Sequence, residues 1–507
     1  MKPLPSPKPI KGTGYPDDPV GLLREGFGAD AKGGTGTGVL AITSLEDSGP
    51  GTLRAAYSNI NASNRIVRID PLSLLGRAAR FFGFVSAALS GDIVLKTPIF
   101  WKKPYTTLDL SNGDVTITTE LPAKEAILVG GTHNVIVFGV RGRGHFPGSD
   151  PTWVQKNNSA ILSLDGDVPN VKWPWDDQWD AASDTRRRSV HDSIFDRNTL
   201  SQCEDDCLAM WEGVHDVSVT RNWVHDSFHP STTGAKGAPL PAGRERLRIY
   251  WAYNVHSRNG ERNLVLLRRE SYWWVVVRNL VVDWMDYTYK DYAPPFGTGM
   301  PAQNWPQGMR ISGTAPLEAN MGWGIANCAV GIGGTGHKTW GASVDDGGCD
   351  NAPVCCAPAC TPLSGVNIKC CNPRVQGNGG TTRSNFYFEA NEGDMIEWSK
   401  TFPAGYVPPA LPFSNYDKTR AWSRVIAEVG VPLRNAAEQT ELNRILARTT
   451  KCVPAVQVEE VNQPMLFEAN PRPPEDPNQP DPSERRPPAE DDGRFKDKPP
   501  SEDPRQR

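Results

Sequence analysis

The stretch Asp196-Arg197-Asn198-Thr199-Leu200-Ser201 is answered further along by Val217-Ser218-Val219-Thr220-Arg221-Asn222-Trp223. Aligned on their asparagines, the two match later stretches centred on Asn254 and Asn279, at intervals of 24, 32 and 25 residues. Three positions before each Asn stand Phe195, Val219, Trp251 and Val276; one position after it stand Thr199, Trp223, Val255 and Leu280. A turn residue recurring at near-constant spacing inside strand patterns marks a solenoid, whose coils stack strand upon strand. Stacking puts each Asn above the last, where side-chain amides can bond along the axis. The surplus residues of the 32-residue interval, around Pro230 to Gly243, then form a loop leaving the coil. An antiparallel sandwich would need regular two-residue hairpins. Asn112-Gly113, Asp165-Gly166, Asn259-Gly260 and Asn378-Gly379 are too scattered to supply them. The repeat predicts an all-β fold, a parallel β-helix.

Composition agrees with that prediction. The chain has 507 residues with 48 Gly, 45 Pro and 16 Trp, which suits short strands and tight turns better than a helical bundle. Its 54 basic and 58 acidic residues leave a net charge of −4, with no electrostatic footprint for nucleic acid or an anionic membrane. No run of about 18 apolar residues is present to span a bilayer. Met1 to Gly14 is rich in Pro and Lys and lacks the apolar centre of a signal peptide. Leu74 to Leu89 is interrupted by Arg77 and Arg80 and reads as an amphipathic insertion.

Five segments are expected: a leader over 1–20, the β-helix over 21–300, last coils with Cys-rich loops over 301–400, a helical segment over 401–467 packing on the β-helix, and a tail over 468–507. In the helical segment, Val425, Ile426, Val429, Leu433, Leu442, Ile445 and Leu446 recur at spacings near 3 and 4, which suits one or two helices broken at Pro432. From Pro471 the chain is Pro-rich and charged, with Phe495 its single aromatic residue, and is expected to be disordered.

Of the ten Cys, seven fall between Cys328 and Cys371, which suggests disulfides formed in an oxidising compartment. The order Cys349, Cys355, Cys356, Cys360, Cys370, Cys371 lacks the paired spacings of a zinc site. An extracellular location, or one on a cell or virion surface, is expected without a signal peptide to account for export.

Near the start stand Glu25-Gly26-Phe27-Gly28-Ala29, Gly33-Gly34-Thr35-Gly36 and Asp47-Ser48-Gly49-Pro50-Gly51-Thr52-Leu53-Arg54. This resembles the opening of bacterial and fungal pectate lyases, polysaccharide lyase family 1. Further matches follow in family order at Gly91-Asp92-Ile93-Val94-Leu95, Thr107-Leu108-Asp109, Asn134-Val135-Ile136-Val137, the first two asparagine stretches, and Ala427-Glu428-Val429-Gly430 to Arg434-Asn435. The resemblance covers most of Gly21 to about Arg448 and leaves the Cys-rich stretch unmatched. It implies a right-handed β-helix and calcium-assisted β-elimination on an acidic, pectate-like polysaccharide, bound by a monomer. The ion withdraws charge from the substrate carboxylate, and an arginine takes the proton from C5.

Carried over residue by residue, the resemblance puts the base at Arg262 in Gly260-Glu261-Arg262-Asn263-Leu264-Val265-Leu266-Leu267-Arg268. Leu264 replaces the family's proline and Leu267 its second arginine; Arg268 lies one residue off and is the remaining candidate for binding substrate. The first calcium ligand matches Asp206 in Cys203-Glu204-Asp205-Asp206-Cys207-Leu208-Ala209-Met210, and Asp180 is the candidate from the preceding coil. Met210 stands where the second ligand of the D-x-x-x-D spacing belongs, so Met210→Asp is expected to strengthen calcium binding. His229 takes the place of a carboxylate-binding Lys, with Gly234 matching the glycine that follows. His225 and His229 lie on no helix and make no metal pair. Tyr272-Trp273-Trp274, Trp173, Trp175 and Trp179 could stack on sugars, although tryptophans alternating with valines more often fill a core.

The sequence thus points to a lyase on a uronic-acid polymer, with a non-catalytic carbohydrate-binding β-helix, such as a surface or virion adhesin, as the alternative. A hydrolase would need two carboxylates across a glycosidic bond, and the adjacent Asp205 and Asp206 cannot both face a groove from one strand.

Overall fold

The computed structural model describes residues 15–452 apart from 70–88, 121–124, 147–159, 167–173, 176–188, 212, 234–246, 260–262, 268–271, 284–306, 313–320, 331–339, 345–385, 390–391 and 394–415. These residues belong to the first of two units, Met1–Val456 and Gln457–Arg507. The leader before Tyr15, the insertion 74–88, the Cys-rich loops at 349–371 and the tail from Pro471 lie outside the described residues.

Three parallel sheets of ten, nine and eight strands, here A, B and C, run the length of the body. Each coil contributes one strand to each sheet in the order A, B, C: Val190–Asp196, Thr199–Ser201 and Leu208–Met210, then Val214–Thr220, Trp223–His225 and Ser231–Thr233. Leu247–Ala252, Val255–Ser257 and Val265–Leu267 make the next coil. A parallel strand pair forces a crossover, and crossovers of twisted strands close right-handed, so this is a right-handed parallel β-helix.

The turn from sheet A to sheet B explains the asparagines. Arg197, Arg221, Tyr253 and Arg278 all have φ between 50° and 59°, a left-handed conformation that turns the chain sharply. The residue that follows is the Asn, and it offsets that strain. Asn198 Nδ2 donates to Asn222 Oδ1 at 2.8 Å, Asn222 to Asn254 at 2.9 Å and Asn254 to Asn279 at 3.0 Å. Each Oδ1 also accepts the backbone N–H of the Asn one coil before, so a buried donor that the turn would orphan is paired. The four line up as the spacing predicts. A fifth rung, Asn327, extends the ladder, with Asn279 Nδ2 to Asn327 Oδ1 at 3.0 Å and Ala326 left-handed before it.

The residues three positions before each Asn fill the interior: Phe195, Val219, Trp251 and Val276 join one buried cluster with Leu200, Leu208 and Leu266. One position after the Asn, Trp223, Val255 and Leu280 face out of sheet B and are covered by two helices. These are α2 (Trp422–Glu428) and α3 (Ala436–Arg448), packed through Val425, Ile426, Leu442 and Ile445. They are two helices, as the break at Pro432 suggested, and Asn435 with Glu438 forms a capping box at the second. A disulfide, Cys328–Cys452, fastens the end of α3's extension to sheet B.

The Asp47–Arg54 string closes one end of the solenoid. Thr52 caps α1 (Leu53–Ser58), whose Leu53 is buried in the core, and Lys103 Nζ caps the other end by donating to Tyr57 O, Ser58 O and Ile60 O at 2.9–3.0 Å. The Gly-rich stretch has a different task from closing an end: it lies flat on the outer face of sheet A. A Cβ at Gly28 would come within 2.2 Å of Ser193 O, so only glycine allows the backbone this close.

Where this stretch and α2 meet sheet A, a buried ionic knot forms. Arg221 pairs with Asp196 through a short contact and donates to Gly21 O at 2.7 Å, while Asp196 accepts from Leu23 N at 3.0 Å. Arg420 holds Glu428 at 2.9 Å and reaches Glu25 at 3.7 Å. Burial raises the Glu25 carboxyl pKa despite the opposing hydrogen bonds from Tyr253 and Tyr250.

One expectation is corrected, and for the described tryptophans of sheet A core packing, the commoner of the two readings, is what is found. The surplus residues of the long interval do not begin at Pro230, because Ser231–Thr233 is a strand of sheet C; 234–246 lie outside the described residues. Trp274 is fully buried, and Trp273 packs on Phe27 at 5.2 Å between ring centres, so both serve packing. Tyr272 as a side chain, Trp173 and Trp179 lie outside the described residues.

Candidate functional site

The described candidates gather at the corner where sheet B turns into sheet C. Gln202, Asp226 and Arg258, all left-handed at φ 50–56°, open this turn on three successive coils. The first coil then runs through Cys203-Glu204-Asp205-Asp206-Cys207, closed by a Cys203–Cys207 disulfide, into strand Leu208–Met210. The second runs through Ser227-Phe228-His229-Pro230 into Ser231–Thr233.

Strand register sets these loops side by side. Cys207 N donates to His229 O at 3.3 Å and Leu208 N to Pro230 O at 3.1 Å. His229 Nδ1 meets Asp205 Oδ1 at 3.1 Å, and Thr232 Oγ1 donates to Asp206 Oδ1 at 2.6 Å. The His229 ring lies on Phe228, 4.2 Å between centres, which fixes its plane. Asp206, His229 and Thr232 are each 4% exposed, whereas the Asp205 side chain is 19% exposed. The corner therefore presents one partly open carboxylate paired with an imidazole, and one buried carboxylate held by a hydroxyl.

Beside it, burial works to raise the Asp226 pKa, but hydrogen bonds from His225 at 2.6 Å and from Arg258 overcome this and hold it well below the usual carboxylate range. Arg258 also reaches Glu441 on α3 at 3.0 Å, so these charges tie the corner to the helix.

Of the five residues singled out from the sequence, Asp206 and His229 are thus brought together on adjacent coils. Asp180, Arg262 and Arg268 lie outside the described residues. Met210 corrects an expectation. It is fully buried in the core and pairs in register with Leu164 and Thr233, so its side chain points into the solenoid. Neighbouring Ala209 and Thr232 share the outward face instead. An Asp at 210 would meet the core, not a cation. Asp165 was missed in the sequence. It ends strand Leu162–Asp165 of the preceding coil with the parity of outward Ser163, beyond the last register pair with the coil of Asp206, Leu164 with Met210. Its signal, an Asp-Gly after an alternating Leu-Ser-Leu, was read as a turn.

Calcium takes six to eight oxygen ligands. Among the described residues no group of three or more His, Cys, Asp or Glu could hold a metal ion, and Asp206 with Thr232 offers too few donors to complete a calcium shell. Among the described residues, no helix is long and apolar enough to cross a membrane.

No protein-family model matches the chain. It is 26% identical over 215 residues to a protein of Emericella nidulans named "Probable pectate lyase C", covering 40% of this chain and 42% of that one. The chain thus spans less than half the length of this relative. Among solved structures it is similar to Jun a 1, the major allergen from cedar pollen, at TM-score 0.46 and 15% identity, covering 80% of this chain and 92% of the allergen. It is also similar to a pectate lyase bound to hexasaccharide, at TM-score 0.38 and 13% identity over 81% and 98% of the two chains. The chain is thus a three-sheet parallel β-helix that resembles a protein named as a probable pectate lyase in sequence over the matched part.

Proposed function

We propose that this protein is a polysaccharide lyase that cleaves a pectate-like or other uronic-acid polymer by β-elimination. The observation that carries this reading is that Asp206, held by Thr232, and His229, held by Asp205, stand at one corner on adjacent coils, at positions the sequence resemblance assigns to cation and substrate binding, in a chain akin to a probable pectate lyase. His229 and Arg268 bind substrate carboxylates, and Arg262 takes the C5 proton. The C5–H bond breaks, C4=C5 forms, and the C4–O bond to the leaving sugar breaks with O4 taking a proton. A guanidinium is almost always protonated, so Arg262 needs a dense positive surrounding to act as base. Calcium is the proposed cofactor, with Asp180 and Asp206 as its protein ligands. The two disulfides among the described residues support an extracellular or surface location.

The test is absorbance near 235 nm, where the unsaturated uronate absorbs, over a panel of uronic-acid polymers with and without calcium. Arg262→Lys keeps the charge and loses the planar fork, so the rate is expected to fall by roughly a hundredfold or more. A carbohydrate-binding module would bind the polymers by calorimetry, yield no chromophore with either protein, and overturn the lyase reading.

A further inference from the structure

A second ladder runs five residues behind the first. Cys203, Ser227 and Asn259 follow Asn198, Asn222 and Asn254 at that constant offset, and all three are fully buried. Cys203 N donates to Ser227 Oγ at 3.1 Å, and Ser227 N donates to Asn259 Oδ1 at 3.0 Å. Asn259 Nδ2 in turn donates to Val224 O and Asn263 Oδ1, both at 3.0 Å. The first ladder lies at the A-to-B corner, beneath the covering helices. The second lies at the B-to-C corner, under Asp205, Asp206 and His229.

We infer that Ser227 and Asn259 are positioning residues, which fix the Asp205–His229 pair and Asp206 relative to one another. This deepens the lyase reading and rests on it for the role of those side chains. The disulfide closes a loop of three acidic residues, but a closed loop can still pivot on its two ends. Ser227 removes that freedom at both. Its Oγ accepts from Cys203 N and touches Cys207 Sγ at 3.1 Å, while Phe228 N donates to Cys203 O at 2.8 Å. The same Oγ donates to His225 O at 3.0 Å, so its proton is committed and its lone pairs face the loop. Ser227 is then held by Asn259 one coil further on, whose amide is spent on the backbone of the coil before and on Asn263. Because Ser227 and Asn259 are themselves fully buried, water cannot replace a lost partner of either, and the loop must shift instead.

A purely structural ladder would affect stability alone, which gives the test its form. In the full-length protein, Ser227→Ala should lower kcat on polygalacturonate by roughly ten- to hundredfold, the loss expected from misplacing a site by about 1 Å, with KM changed far less. Ser227→Thr, which keeps the hydroxyl, should restore most of it. A crystal structure of Ser227→Ala should show the 3.1 Å Asp205–His229 contact opened. Unchanged kcat with only a lower melting temperature would overturn the inference. If the unmutated protein eliminates nothing, the lyase reading fails, and the crystal structure alone decides: intact Asp205–His229 and Thr232–Asp206 bonds refute the positioning role. Should Ser227→Ala not fold, Asn259→Asp keeps the acceptor for Ser227 N and loses the donor to Val224 and Asn263, and the same comparisons apply.

Discussion

Asn222→Ala removes one rung from the middle of the asparagine ladder. The Asn222 side chain accepts from Asn198 N at 2.9 Å and Asn198 Nδ2 at 2.8 Å, and donates to Phe195 O at 3.0 Å and Asn254 Oδ1 at 2.9 Å. Alanine keeps the backbone bond from residue 222 to Asn254 Oδ1, so that acceptor stays satisfied. Two donors of Asn198 are orphaned, and both are buried. At about 1–3 kcal/mol for each orphaned donor, and about 1 kcal/mol for the remaining losses together, the cost is roughly 3–7 kcal/mol. With an unfolding entropy near 2 cal/mol/K per residue over the roughly 400-residue body, a 4 kcal/mol loss lowers the melting temperature by about 5 °C. The measurement is thermal and urea unfolding followed by the fluorescence of buried Trp223, Trp251 and Trp274. A variant melting within about 1 °C of its parent would show that the ladder bonds add nothing over water, and the argument that they offset the left-handed turns would fall.

Acid should weaken the fold through histidines buried neutral. Burial pushes His256 down to about 3, and pushes His191 down to about 4 against its hydrogen bond to Asp192. Both values are depressed, so the unfolded chain binds more protons below its ordinary histidine pKa of about 6.5; stability is full above that pH and falls as pH drops toward 3–4. From pH 6.5 to 5, His256 alone should cost about 2 kcal/mol, and His256→Leu should flatten that part of a melting-temperature profile; parallel profiles would contradict it. Cys452→Ser opens a disulfide spanning 124 residues, an entropic loss of roughly 4–5 kcal/mol. Protease should then clip α2 and α3 from the body before the coils unfold, and equal protease resistance would show that their packing suffices without the bond.

The coil repeat was legible because its turn needs an amide at one position, so residue type and spacing both recur. Asn327 escaped because 48 residues separate it from Asn279, a gap no near-constant period accommodates. The second ladder escaped for another reason. Its intervals copy those of the first, but a sulfur-bearing, a hydroxyl and an amide residue share the position, since there a backbone N–H and two kinds of side chain do the bonding. At the site, the family resemblance singled out Asp206 and His229, which lie on neighbouring coils. It misjudged Met210 because strand parity is counted from within the strand Leu208–Met210, whereas Asp206 lies in the turn before it.

The ionic knot gives the chain an order of events during synthesis. Asp196 and Arg221 leave the ribosome together with the coils they join, after Gly21 and Leu23 and some 200 residues before Arg420 and Glu428. Until α2 arrives, Arg221 lacks the more distant carboxylate of Glu428, 3.7 Å away when folded, and Glu25 lacks the guanidinium of Arg420. A nascent chain can thus wind its coils early yet stay unlocked along one flank, with the Glu25 carboxylate there unmatched by Arg420. The last helices to be translated act as the latch, and a ribosome that stops short of them releases a solenoid whose first residues still bond to Asp196 and Arg221 but whose Glu25 has no guanidinium from Arg420 beside it.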